Sequence, residues 1–189
     1  VAVVPVPFTW VAGDAPTAAE LNGTDGPKGV GDFVLSPPRV SAYQSAGVSV
    51  GTGTSTEILM TFDTTRWEYP TADSDAHSTS ADTSRLYART PGLWAVNYQV
   101  AFPANATGVR YVVLRKNAAG TSGGGTTVHF ARQQAASATG ASYVGASIDV
   151  PMAEDDYLEL FALQNSGGSL TTVTGVTGTY VQMRWVASA

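Results

Sequence analysis

Two serines sit in the glycine-bracketed spacing that nucleophilic hydrolysis uses. Gly47-Val48-Ser49-Val50-Gly51 and Gly120-Thr121-Ser122-Gly123-Gly124 both spell Gly-x-Ser-x-Gly. That chemistry needs the serine on a tight strand-to-helix turn, with a histidine near enough to take its proton. No helical pattern comes after either match, and a chain this rich in Gly and Ser produces the spacing by chance. The two histidines are His77, in a polar loop, and His129, in a strand-like pattern. A general base must reach its substrate and be oriented by a third group. Nothing in the pattern assigns that role to either. His129 lies between Val128 and Phe130 and reads as a surface strand residue.

The carboxylates offer other chemistry. The loop from Thr71 to Ser84 carries Asp73, Asp75, His77 and Asp82. Asp-x-Asp-x-His brings oxygen and nitrogen donors of the kind that hold calcium or a transition metal. The spacing completes no calcium loop, so the expectation is no metal and no cofactor. Long polar loops on rigid scaffolds often carry recognition. Trp67, Tyr69, Asp73, Asp75, His77 and Asp82 are therefore the candidate contact loop. Glu154-Asp155-Asp156 reads as a solvated turn. Asp63, Glu68, Asp149 and Glu159 are available for glycoside hydrolysis, but a retaining pair must stand about 5 Å apart. The sequence brings no two of them together, and the expectation is no enzymatic activity.

Composition narrows the class. The chain has 189 residues, 43% of them hydrophobic and only 13% charged, with a net charge of −5. That is enough apolar material for one well-filled core, and too little charge for a disordered chain. The acidic balance, with no cluster of Lys and Arg beyond Arg110, Arg115 and Lys116, excludes the electrostatic footprint of nucleic-acid binding. There is no cysteine, so disulfides, thiolate metal sites and cysteine nucleophiles are ruled out.

The elements that must position these residues are written in the apolar pattern. Residues 1–38 differ from the rest. Val3, Val4, Val6, Phe8 and Trp10 form an extended strip broken by Pro5 and Pro7, too short for a membrane span and without the cationic start of a signal peptide. Thr17 and Glu20 have capping-box spacing before Leu21 and Gly23, which predicts one short helix. Residues 1–38 are read as an attachment arm, because an exposed apolar strip usually marks a contact. From Arg39 onward, about eight segments alternate apolar and polar residues: 40–43, 57–63, 94–102, 109–116, 127–133, 142–150, 157–164 and 179–186. Ile58, Met60 and Phe62 share one face, as do Trp94, Val96, Tyr98, Val100 and Phe102, opposite Ala95, Asn97 and Gln99. Short strands closed by turn signals, without helices between them, imply an all-β antiparallel two-sheet sandwich or jelly roll over residues 39–189.

Several segments resemble the C1q/TNF-like jelly-roll family. Pro91-Gly92-Leu93-Trp94 is similar to its entry into a central strand, and Val113-Leu114-Arg115-Lys116-Asn117 to its strand ending in Lys-Asn. Ile148-Asp149-Val150 followed by Glu154-Asp155-Asp156-Tyr157-Leu158-Glu159-Leu160 resembles its paired strands joined by an acidic turn, with Asp155-Asp156 in place of the usual Gly-Asp. Tyr180, Met183 and Trp185 resemble its closing aromatic strand. The arm, from Phe8 to Asn22, resembles the N-terminal stretch of small virion proteins of tailed phages infecting actinobacteria.

The resemblances imply a homotrimer packed sheet edge to sheet face, without enzymatic activity. They imply a knob on the virion surface, held to other virion proteins through Val6, Phe8, Trp10, Thr17, Glu20 and Leu21 of the arm. The task would be host attachment at the tail, with a cell-surface glycan as a partner, or decoration of the capsid. No nucleic acid and no membrane are expected as partners. The alternative is a carbohydrate-binding or adhesive module outside any virion, using Trp67, Tyr69 and the 71–84 loop.

Overall fold

The computed structural model describes residues 37–69 and 75–188. The arm residues Val6, Phe8, Trp10, Thr17, Glu20 and Leu21, and Asp73 of the candidate loop, lie outside the described residues. The strands, in chain order, are β1 (Arg39–Tyr43), β2 (Ser49–Val50), β3 (Gly53–Leu59), β4 (Thr64–Tyr69), β5 (Leu86–Tyr87) and β6 (Gly92–Phe102). They continue with β7 (Val109–Lys116), β8 (Thr126–Gln134), β9 (Ser142–Met152), β10 (Tyr157–Gln164), β11 (Leu170–Thr171) and β12 (Tyr180–Ala187). No helix occurs among the described residues.

Five strands form one sheet in the order β4-β1-β12-β6-β9 and four form a second in the order β5-β10-β7-β8, with β2 and β11 as a small ribbon. The strand pairs within the sheets are antiparallel. Strands written with apolar residues at every second position bury that face between the layers. β6 shows it most plainly: Trp94, Val96, Tyr98, Val100 and Phe102 are all 1% exposed or less. Val112, Leu114, Leu158, Leu160, Val150 and Met183 meet them from the other strands. Gly145 lets β9 lie close on β6, because a Cβ there would collide with the Tyr98 carbonyl oxygen.

Three departures from the sequence expectations have clear causes. The strand expected over 57–63 ends at Leu59, yet Met60 and Phe62 are fully buried as expected. Their N–H groups donate instead to Leu160 O at 2.9 Å and Thr83 O at 2.8 Å. β10 is buried on both faces rather than one. Phe161 and Leu163 join Val113 and Ala118 in a second apolar cluster outside the sandwich, with Leu59 and Tyr111 against it. Finally, Trp67 and Tyr69 belong to a strand, β4, and not to a loop. Its pattern was hidden because a bulge between Ser41 and Ala42 of β1 shifts the pairing of β4, which breaks the two-residue period.

Candidate functional site

The outward face of the five-stranded sheet gathers polar side chains in transverse rows. Antiparallel register places Arg39 opposite Arg184, Arg184 opposite Ala95, and Ala95 opposite Asp149. The next row runs Trp67, Ser41, Gln182, Asn97 and Ser147. These positions interleave with Val40, Val96 and Met183, which point inward, so the alternation that fills the core also sets the outer row. Between the rows lies a groove of about 900 Å³, lined among others by Arg39, Trp67, Asn97, Asp149, Gln182 and Arg184.

Hydrogen bonds and ring contacts hold parts of this surface. Asn97 Nδ2 donates to Ser147 Oγ at 2.8 Å, and Tyr180 OH donates to Asn97 Oδ1 at 2.9 Å. Gln99 Nε2 donates to the carbonyls of Gly178 at 2.7 Å and Thr177 at 2.9 Å, tying the loop before β12 to β6. The Arg39 guanidinium lies over Trp67 at 5.9 Å and Tyr69 at 6.0 Å, in the range of cation–π attraction. Trp67 and Tyr69 therefore share the outer face with Arg39. Sequence reasoning named them, and Asp149 only as a carboxylate available for hydrolysis, but missed Arg39, Arg184 and Gln182 beside them. Asn97 was already assigned to the outward side of its strand. Which outward positions lie beside it comes only from the pairing of strands far apart in the sequence.

The remaining candidate residues stand apart from the groove. Asp75 and Asp82 have φ of 30° and 50°. Asp75 O accepts from Arg89 Nη2 at 2.8 Å, and Asp82 pairs with Arg85 at 3.1 Å. His77 is buried rather than presented in a contact loop. Its Nε2 lies 3.1 Å from Phe62 O and its Nδ1 2.7 Å from Thr65 Oγ1. Burial holds its pKa below the ordinary histidine range, against the opposing pull of the Thr83 and Phe62 carbonyls and the Glu68 carboxylate. His77 thus anchors the segment after β4 onto the core.

His129 also departs from its surface reading. A bulge between Leu114 and Arg115 shifts the register of β8, and the ring turns toward the core. His129 Nδ1 meets Tyr98 OH at 2.6 Å, and burial pushes the Tyr98 phenol up to about 12. Its neighbour Phe130 is left 50% exposed against Tyr111. Neither histidine is hydrogen-bonded to Ser49 or Ser122. Ser49 lies in β2, and Ser122 Oγ accepts from the Glu57 N–H at 3.3 Å.

Other carboxylates and cations are engaged structurally. Asp156 of the acidic turn accepts from Lys116 Nζ at 2.9 Å, Asn117 Nδ2 at 2.7 Å and Ala153 N at 2.8 Å. The turn is therefore knitted to β7 rather than merely solvated. Buried Glu159 accepts from Ser84 Oγ at 2.9 Å, Arg85 Nε at 3.1 Å and Gly120 N at 3.0 Å. The three cations nearest to a basic cluster are dispersed. Arg110 is fully buried over Phe102, Arg115 is paired with Glu57, and Lys116 is paired with Asp156. Among the described residues no three His, Cys, Asp or Glu side chains are grouped to hold a metal.

No protein-family model and no curated protein matches the sequence. Solved structures do match the fold. Eiger TNF from S. frugiperda aligns with a TM-score of 0.54 at 14% identity, covering 80% of this chain and 95% of that one. Murine APRIL at pH 5.0 aligns with a TM-score of 0.55 at 9% identity, covering 79% and 98%. The globular domain of zebrafish complement 1qA aligns over 80% and 99% at 9% identity, with a TM-score of 0.49. At these identities the likeness is one of fold. The described residues form an antiparallel two-sheet jelly roll of the C1q/TNF type.

Proposed function

We propose that this protein is a non-enzymatic structural component of a tailed-phage particle: a homotrimeric jelly-roll knob on the virion surface, anchored through residues 1–38. Its work is host attachment at the tail or reinforcement of the capsid. The observation that carries the trimer is the broad, semi-exposed outer face of the five-stranded sheet on a C1q/TNF-type fold. The sequence likeness of Phe8 to Asn22 supports the virion and the anchoring role. The mass of the purified chain in solution tests the first part, with three copies expected. Deletion of residues 1–38 tests the second. The truncated chain should be lost from particles, and normal occupancy without the arm would refute anchoring.

One observation favours a carbohydrate-binding module instead. Trp67 stands at the groove with the amides of Asn97 and Gln182 and the carboxylate of Asp149, a mixture of aromatic face and polar groups that suits a sugar. This reading needs an open groove, whereas a subunit contact on this face covers it. A glycan array with the full chain separates them, since binding that Trp67→Ala abolishes would favour the sugar site.

A further inference from the structure

The groove holds charges of both signs that do not meet. Arg39 and Arg184 stand directly opposite each other on β1 and β12, an arrangement in which like charges repel. Among the described residues neither guanidinium has an ion pair or a hydrogen bond. By contrast, Arg85, Arg89, Arg115 and Lys116 each have a carboxylate oxygen within 3.1 Å. Asp149, also without an ion-pair partner among the described residues, lies in the same row but two strands away, across Ala95. Two strand spacings separate the backbones by about 10 Å, and the Ala95 methyl leaves the space between them open. β9 is the edge of the sheet, so Asp149 sits at the rim. The row is cationic in its interior and anionic at its border.

We infer that a second copy of this chain occupies the groove, its Asp149 inserted between Arg39 and Arg184 of the neighbour. This rests on the trimer reading and names the contact that closes it. A rim meeting an interior row is a heterologous junction, which closes a ring when the rotation permits. Each copy then gives one carboxylate and receives one. Arg39 is already held over Trp67 and Tyr69, so little side-chain freedom is lost when the carboxylate arrives. The chain thereby satisfies both halves of a row that has no ion pair among the described residues.

The experiment is the solution mass of the full chain over a concentration series, for the wild type, for Asp149→Arg, for Arg39→Asp with Arg184→Asp, and for all three exchanges together. Reversing either side alone should raise the concentration needed for assembly by at least about tenfold, and reversing both sides should recover it. Added salt should weaken wild-type assembly in the same direction. An equimolar mixture of the two one-sided variants should assemble more weakly than the wild type, because any ring of three drawn from them has at least one like-charged junction. A melting curve for each variant checks that it remains folded. A wild-type trimer with unaltered one-sided variants overturns the charge junction and leaves the trimer standing. A monomeric wild type overturns the trimer reading itself. Full recovery in the mixture overturns the three-membered ring. Binding of oligogalacturonate that Arg39→Asp with Arg184→Asp abolishes, with the mass unchanged, overturns the second copy as occupant in favour of an acidic saccharide.

Discussion

Glu57 reaches from β3 to clamp Arg115 on β7 through both carboxylate oxygens, at 2.6 and 2.9 Å. Its Oε2 also accepts from Gly123 N at 3.1 Å. The two side chains are 13% and 11% exposed, so removing one partner leaves a largely desolvated charge behind. Glu57→Ala should lower unfolding free energy by roughly 2–4 kcal/mol, measured by chemical denaturation. An unchanged midpoint would show that the clamp adds nothing net. Histidine and carboxylate shifts act together with pH. Burial holds His77 below its ordinary value of 6.5, so the unfolded chain takes that proton first and stability falls as pH drops below that value. Burial raises the pKa values of Glu57, Asp63 and Asp156, but their hydrogen bonds and cations outweigh it and hold them below the ordinary 4.5, 3.8 and 3.8. Their contribution is present above those ordinary values and is lost as pH falls through the folded ones. Melting temperature should therefore decline in two stages on acidification. His77→Gln should flatten the first stage, and a decline of unaltered slope there would remove His77 as its source.

At the scale of elements, β6 and β10 do different work. Trp94 faces the central core and anchors its indole N–H on Thr90 O at 3.0 Å. Phe161 is equally buried but lies in the outer cluster with Val113 and Leu163. Trp94→Ala and Phe161→Ala should each cost about 3–5 kcal/mol. The two losses should differ in where they are felt. Loss of Trp94 should melt the whole sandwich, while loss of Phe161 should also loosen the crossing of β3 over β10. Hydrogen exchange of the Met60 and Glu57 amides reads that loosening, and equal protection in both variants would show that β3 does not depend on the outer cluster. The alternation of β6 was legible residue by residue. The outer cluster was not, because residues along both faces of β10 are buried and a continuous apolar run does not report which layer lies on which side.

For the whole molecule, an obligate assembly has a stability tied to concentration. The proposed trimer should melt at a temperature that rises with protein concentration across the range where mass changes. A melting temperature independent of concentration, with a single-copy mass, would describe a self-sufficient sandwich. The acidic net charge of −5 makes the proposed pairing on the outer face more consequential. Copies that repel one another overall need local opposite charge to approach in register.

Side-chain period determined the fold class without coordinates. Apolar residues at alternate positions in 94–102 and 142–150 demand a buried layer on one side, and turn residues between segments demand that the chain reverse. No helical pattern follows either serine match, and nothing in the pattern assigned a general-base role to either histidine. Only the tertiary structure decided which outward positions stand side by side. Arg39 and Arg184 are 145 positions apart along the chain, and their opposition comes from the pairing of the first described strand with the last. His77 and His129 were misread for the same reason. Whether a polar side chain faces water or core depends on bulges and on the layer packed above it, and these are set by long-range contacts that no local pattern encodes.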